Sequence, residues 1–296
     1  MTFFQMNRPR LSTITALAAA LSAMPALADG HEQEVALLEQ PGVLSGDDAL
    51  ESRVSGVFGA DLSSHFVSYG FDVWAEGTEP FGGNETFNPY AELALALDGD
   101  VSLSVGFWGD INDNANSPLG GNVQEIDVYA GVSKDFDGIS VGVVYQEWFF
   151  SDQTEKILDI NLSFDDSGWW GDTGLSLSPS ITIHNRVDNG LGLSNGTILV
   201  LGGEYPVDLG DSELSLSLPV AVGFSFDEGY FTDGGDDGFG YVSIGASAGL
   251  PLSSISPAYG SWALNAGVNV FFTEEDVYQN PDDTIVAVNV GISLAF

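Results

Sequence analysis

The feature that most constrains this chain is an alternation of apolar with small or polar residues, which returns along most of its length. It is clearest over 213–226, where every second residue from Leu214 to Phe226 is apolar and the positions between carry Ser, Gly, Ala or Pro. Segments 101–108 and 286–296 repeat the pattern. Successive side chains of a strand point to opposite faces, so this period of two predicts an all-β fold.

Segments of this kind recur at a regular spacing, and twelve can be counted: 62–74, 88–97, 101–110, 123–134, 139–150, 156–165, 173–185, 196–206, 213–226, 239–250, 260–272 and 283–296. Several are long enough to cross a bilayer, since a tilted transmembrane strand needs about 9–11 residues. The connections at 98–100 and 135–138 are short, whereas those at 75–87 and 227–238 are long and polar. An even number of strands with short and long connections is typical of an outer-membrane β-barrel.

A soluble β-sandwich also has alternating strands. The composition of the two strand faces therefore has to distinguish a sandwich from a membrane barrel. One face is consistently apolar and the other is rich in Gly, Ser and Asn rather than charged. Aromatic residues such as Trp74, Trp148, Trp169 and Phe272 collect near the segment ends, which fits two interfacial girdles. We expect a transmembrane antiparallel up-and-down β-barrel of about 12 strands over 54–296, with a secreted acidic β-sandwich as the alternative.

Both ends of the chain carry features of export to an outer membrane. Arg8 and Arg10 precede an uncharged, Ala-rich stretch that ends in Pro25-Ala26-Leu27-Ala28, which predicts a signal peptide over 1–28. Residues 29–53 then form a periplasmic tail. The last strand ends in Phe296, similar to the assembly signal of bacterial outer-membrane proteins. We therefore expect the outer membrane of a Gram-negative bacterium, its lipids and the barrel-assembly machinery as the surroundings.

The charge balance excludes several classes of function. With 6 Lys and Arg against 43 Asp and Glu, the formal charge is −37. Nucleic acid is therefore not expected as a partner, because binding it requires clustered basic residues. The absence of Cys excludes disulfides and thiolate metal sites, and no cofactor is expected. Many acids, Asp110 and Glu155 among them, fall in the expected outer loops, where they serve hydration or bind divalent cations.

The interior of such a barrel would hold the residues opposite the apolar face. The expected inward acids are Asp72, Glu92, Glu125, Asp127, Asp159 and Glu204, against Arg186 and the neighbouring His184. Acidic rings favour cations in channels, so the pattern predicts a cation-preferring pore lined by these residues. Trp108, Glu125, Asp127 and Tyr129 form the candidate constriction. The alternatives are a packed polar plug and a purely structural hydrogen-bond cluster.

Catalysis finds little support in the sequence. Gly138-Ile-Ser-Val-Gly142 matches G-x-S-x-G, but that motif requires a strand-turn-helix elbow, and Ser140 opens an alternating strand. Ser180 and His184 share a strand face four residues apart, about 13 Å at strand rise, which is too far for a hydrogen bond. The chain is not expected to be an enzyme.

Three segments resemble the TorF family of porins. Residues 54–71 resemble its first strand at Val54, Ser55, Gly56, Asp61 and Gly70, with Tyr69 where the family usually has Arg. Gly106-Phe-Trp-Gly-Asp110 and Glu125-Ile-Asp-Val-Tyr-Ala-Gly131 are similar to its G-x-W and E-x-D-x-Y-x-G strands. The resemblance is best over 54–165 and implies a porin-like barrel.

These observations lead to one expected function and one main alternative. We expect a porin-like channel for passive diffusion of small hydrophilic solutes, with a preference for cations. The alternative within the same fold is a closed barrel with a structural or surface-interaction role, whose acidic loops face outwards.

Overall fold

The computed structural model describes residues 53–74, 85–117, 119–150, 153–170, 175–190 and 192–296. The expected signal peptide (1–28), and the expected tail up to residue 52, lie outside the described residues. The barrel wall consists of twelve strands: β1 (Val54–Ser63), β2 (Thr86–Leu97), β3 (Val101–Ile111), β4 (Val123–Asp135), β5 (Ile139–Phe150), β6 (Gln153–Phe164), β7 (Ser180–Asp188), β8 (Gly196–Pro206), β9 (Ser215–Ser225), β10 (Gly238–Pro251), β11 (Ser261–Thr273) and β12 (Thr284–Ala295).

The strands close into one antiparallel barrel of up-and-down order. Each strand pairs with its neighbours in the chain, and β12 pairs with β1 in a register that places Val57 opposite Ala295. The predicted fold class is therefore confirmed. The described chain begins and ends at one end of this barrel, called here the terminal end. The other end carries the loop residues 64–74, 112–117, 226–237 and 274–283 and is called the loop end.

Alternation along the strands separates an apolar outer face from an inner face. On β3, Val105 is 54% exposed on the outside, whereas Trp108 is 1% exposed inside. On β9, Leu218 and Val220 are exposed and Ser217 and Ala221 are buried, as the sequence predicts. Within the described residues, two short helical segments occur in loops, Pro257–Tyr259 and Glu275–Tyr278. No helix in the described part of the chain is both long and apolar enough to cross a membrane.

The prediction for the first strand is wrong. The expected segment was 62–74, but β1 spans Val54–Ser63 and the chain then turns into the barrel. The error has a physical cause, because residues 67–72 form a small hairpin whose strands also alternate. Alternation shows that a segment is extended, and it does not show whether the segment belongs to the wall. The seventh strand similarly begins at Ser180 rather than at 173.

Candidate functional site: the barrel interior

Residues Ser64–Trp74 form a hairpin inside the barrel, called here the inner hairpin. Val67–Ser68 pairs with Phe71–Asp72, so Tyr69 and Gly70 form a two-residue turn. Both have positive φ, 49° and 88°, as a type I′ turn requires. A Cβ at Gly70 would lie 2.7 Å from the Tyr241 ring, so this position needs Gly both for its backbone and for its space.

The inner hairpin packs against aromatic side chains in the loop-end half of the barrel. The Tyr69 ring lies 4.1 Å from that of His184, Phe66 lies 5.0 Å from Trp108, and Phe71 lies 5.7 Å from Phe231. Around them is one buried apolar cluster, which includes Val67, Trp148, Ile157, Ile198, Val200, Tyr241, Phe271, Tyr278, Ile285 and Ala287. The loop-end half is therefore a packed core rather than a wide lumen.

Polar contacts fix the inner hairpin to the wall and to a loop. The backbone N–H of Asp72 donates to Asn280 Oδ1 at 3.1 Å, and Asn280 Nδ2 donates to the carbonyl of Gly70 at 2.9 Å. His65 Nδ1 lies 2.8 Å from Asp72 Oδ2. At the far end of the hairpin, Trp74 Nε1 donates to Asp110 on β3 at 2.8 Å. Asp72, predicted to line the pore, therefore belongs to the hairpin and not to a wall strand.

The terminal-end half of the interior is built differently. Many of its inward residues are small or polar and partly exposed to solvent. They include Ser102, Ser104, Gly131, Asn161, Thr182, Gly202 and Asn265. Glu204 on β8 is half-buried there and accepts a hydrogen bond from Ser217. This half is an open chamber lined by hydroxyl, amide and backbone groups.

The candidate constriction is brought together on adjacent strands. Trp108 on β3 lies directly opposite Asp127 on β4. Tyr129, two residues further along β4, hydrogen-bonds Glu92 on β2. Trp108 and Asp127 are 1% and 0% exposed, and Trp108 packs against Phe66 of the inner hairpin. Whether they line an open pore stays a prediction.

Acids continue along this side of the barrel towards the loop end. Glu125 on β4 lies directly opposite Asp110 on β3, and both are buried. Asp110 accepts hydrogen bonds from Thr86, Trp74 and Asn112. We call Glu92, Asp127, Glu125 and Asp110 the acidic seam, because they follow one another along β2–β4. Two carboxylates in directly opposed positions repel each other and make the local potential negative.

The other predicted residues form a second group on β6 and β7. His184 Nδ1 lies 2.8 Å from Asp159 Oδ1, and Gln146 Nε2 donates to Asp159 Oδ2 at 2.6 Å. Arg186 Nε donates to Glu155 at 2.9 Å, and its guanidinium lies 3.8 Å from the centre of the Tyr230 ring. Asp159 and His184 therefore belong to a hydrogen-bonded polar network within the packed half.

Several interior residues escaped sequence reasoning. Asp110 and Glu155, predicted to be loop acids, lie in strands and are 0% and 1% exposed, because β3 continues to Ile111 and β6 begins at Gln153. Asp61 was missed because β1 was placed too late. Alternation along β5 would have placed Gln146 on the inner face, because it is two residues from Val144 and from Trp148, which are both buried. Trp108, Trp148 and Phe271 also lie inside, so these aromatics are not part of an interfacial girdle.

The structure places the G-x-S-x-G serine on the wall. Ser140 is the second residue of β5, and its hydroxyl donates to Asp135 across the strand pair. No group of three or more His, Asp or Glu in a metal-binding arrangement occurs among the described residues.

Comparisons with known proteins return similarity of fold alone. No family model and no curated protein matches the chain. Among solved structures, the NanC porin aligns with 81% of this chain and 98% of its own, at 9% identity and a TM-score of 0.45. The KdgM porin in complex with disordered oligogalacturonate aligns with 82% of this chain and 99% of its own, at 8% identity and a TM-score of 0.43. LpxR from Salmonella typhimurium aligns with 80% of this chain and 99% of its own, at 8% identity and a TM-score of 0.45.

Proposed function

We propose that this protein is a porin-like channel of the bacterial outer membrane that passes small hydrophilic solutes and prefers cations. In this proposal the apolar outer face contacts lipid, the loop end faces outwards and the terminal end faces the periplasm. Assembly would use the C-terminal strand ending in Phe296. Membership of the TorF family, suggested by the segments within 54–165, belongs to the same proposal.

The observation that carries the cation preference is the charge of the interior. Its acids are Asp61, Asp72, Glu92, Asp110, Glu125, Asp127, Glu155, Asp159 and Glu204. Arg186 is the single inward Lys or Arg in the described part of the chain, and Glu155 already neutralises it. Because acidic side chains lower the energy of a cation and raise that of an anion, an interior of this kind favours cations.

The route that we propose for ions follows the acidic seam beside the inner hairpin. An ion from the open chamber would meet Glu92 first, then Asp127, then Glu125 and Asp110. Other parts of the wall offer Val200, Ile198 and Phe271 instead, which cannot replace the hydration shell of an ion. Passage through the loop-end half then requires the inner hairpin to shift away from the seam, so conduction should be low and intermittent.

Single-channel recording of the refolded protein tests this proposal. In a planar bilayer with a salt gradient, the reversal potential should have the sign of cation selectivity. The variant Asp127→Asn should reduce the cation-to-anion permeability ratio, because it removes a seam charge while keeping the side-chain shape. Glu147→Gln is the matched control, since Glu147 faces outwards. Chloride selectivity of the wild type would refute the proposal.

A second candidate is the closed barrel with a structural or surface role, favoured by the packing of the inner hairpin. Under this alternative the refolded protein is correctly assembled and electrically silent over the whole voltage range. Heat-modifiable migration on a gel provides the check on assembly, so a silent but folded protein would decide for this candidate.

A further inference from the structure

Asp61 on β1 is a buried carboxylate without a protein donor. It is 3% exposed, and among the described residues none donates a hydrogen bond to it or forms an ion pair with it. Burying a charged group is costly unless another charge or a hydrogen bond compensates it. The buried position of Asp61 therefore needs a partner from outside the chain, or a proton.

The neighbouring amides on the wall do not donate hydrogen bonds to Asp61. Asn88 lies directly opposite on β2, but its Nδ2 donates to Thr86 and to the Gly109 carbonyl. On β12, Asn289 is 4% exposed, and its Nδ2 has no hydrogen-bond partner among the described residues. Both neighbouring strands thus offer amides that leave the carboxylate without a donor.

A glycine and a tyrosine hydroxyl lie beside the carboxylate. Gly291 lies opposite Asp61 on β12, and a Cβ at Gly291 would come within 1.7 Å of Asp61 Oδ1, so the missing side chain makes room for the carboxylate. The Tyr90 ring lies over Gly59, and its buried hydroxyl has no partner within the described part of the chain. Tyr90 is close enough to Asp61 for the two to interact electrostatically.

We propose that Asp61, with the Tyr90 hydroxyl and the Asn289 amide oxygen, binds one small monovalent cation such as Na⁺ or K⁺. The net charge of −1 at this position matches a monovalent ion, and the neutral oxygens replace part of its hydration shell. A calcium ion usually takes six to eight oxygens, several of them from carboxylates, which this position does not offer. The site lies beside Asn88 on β2, four residues from Glu92 along that strand towards the loop end. It deepens the proposed function by giving a permeating cation a resting place next to the acidic seam.

Because this site is part of the proposed channel, its test includes a measurement that does not depend on conduction. The thermal midpoint of heat-modifiable migration is measured at constant ionic strength in NaCl, KCl and choline chloride. Wild type should be more stable in NaCl or KCl than in choline chloride, because choline is too large for the site. Asp61→Asn should lose this difference and should melt higher than wild type in choline chloride, since it no longer buries an unpaired charge.

Two further variants separate the site from a general charge effect. Tyr90→Phe keeps the carboxylate and removes one oxygen, so it should reduce the salt-specific shift without abolishing it. Glu204→Gln removes an acid from the opposite wall and should keep the full shift. The site is refuted if wild type shows no difference between the salts, or if Asp61→Asn retains one. If the folded barrel conducts no current but shows the Asp61-dependent shift in thermal midpoint, the cation site is supported and the channel is refuted.

Discussion

The two halves of the barrel interior have the same strands and the same alternation but different contents. The loop-end half holds the inner hairpin and large side chains such as Trp108, Tyr241 and Phe271, all 0–1% exposed. The terminal-end half presents Ser, Gly and Asn, and much of it is reached by solvent. The difference teaches that the size of the inward side chains, rather than strand number, decides whether a barrel of this size is a core or a chamber.

Removing the inner hairpin should have the largest effect on this difference. We expect that replacing Ser64–Trp74 by a short Gly-Ser linker opens the loop-end half and raises single-channel conductance several-fold. The wall should still close, because β1 pairs with β2 and β12 outside the deleted segment. Shortening the exposed turn 119–121 is the control and should leave conductance unchanged. Equal conductance of the deletion and the wild type would mean that the hairpin does not obstruct the barrel.

Neutralising one acid in each half should affect different properties. Asp159→Asn removes the charge that His184 and Gln146 contact, so it should lower the free energy of unfolding by about 3 kcal/mol. Glu204→Gln, in the open chamber, should change stability by less than about 0.5 kcal/mol and should reduce cation selectivity instead. Urea denaturation in detergent micelles gives the first quantity, and reversal potentials give the second. Similar destabilisation by both variants would contradict the distinction between the halves.

Asn280 connects a loop to the turn of the inner hairpin. Asn280→Ala should leave the Asp72 N–H and the Gly70 carbonyl without their side-chain partner, at a cost of about 1–3 kcal/mol. The hairpin should then leave its packed position more often, which recordings would show as more frequent openings. The exposed neighbour Gln279 offers the control, Gln279→Ala, which should behave as wild type.

An effect that is confined to neutral pH is expected in the turn after β6, outside the barrel wall. Burial alone would raise the pKa of Asp166, but hydrogen bonds from Trp170, Ser176 and the backbone of Leu177 and Ser178 outweigh it and hold the pKa at about 2. The carboxylate therefore stabilises the fold above its usual pKa, and this contribution is lost as the pH falls towards 2. Asp166→Asn should be destabilising by about 1–2 kcal/mol at pH 7 and neutral near pH 2. Thermal midpoints across this pH range measure the difference, which should not persist at pH 2.

Much of the barrel wall could be predicted from the sequence, whereas the inner hairpin and most of the packing around it could not. Twelve strands, closure and the inward position of residues such as Glu92, Asp127 and His184 follow from period-two alternation, because parity fixes the face. The inner hairpin was assigned to the first wall strand, since Val67–Asp72 alternates as a wall strand does. The local sequence feature that could have indicated the hairpin is Tyr69-Gly70. This dipeptide suits a tight turn only if Tyr69 adopts a positive φ. That conformation depends on the packing of Tyr69 against His184, which is a long-range contact absent from any local pattern.

The contrast between a packed and an open half can be tested directly by labelling, because the chain has no Cys. Ser104→Cys places a thiol in the open chamber, and Ala287→Cys places one in the packed half, where Ala287 is 7% exposed. In the folded barrel, a polar maleimide should label the first variant rapidly and the second at least tenfold more slowly, and after heat denaturation both should react equally. Equal labelling in the folded state would contradict a barrel closed at one half by its inner hairpin.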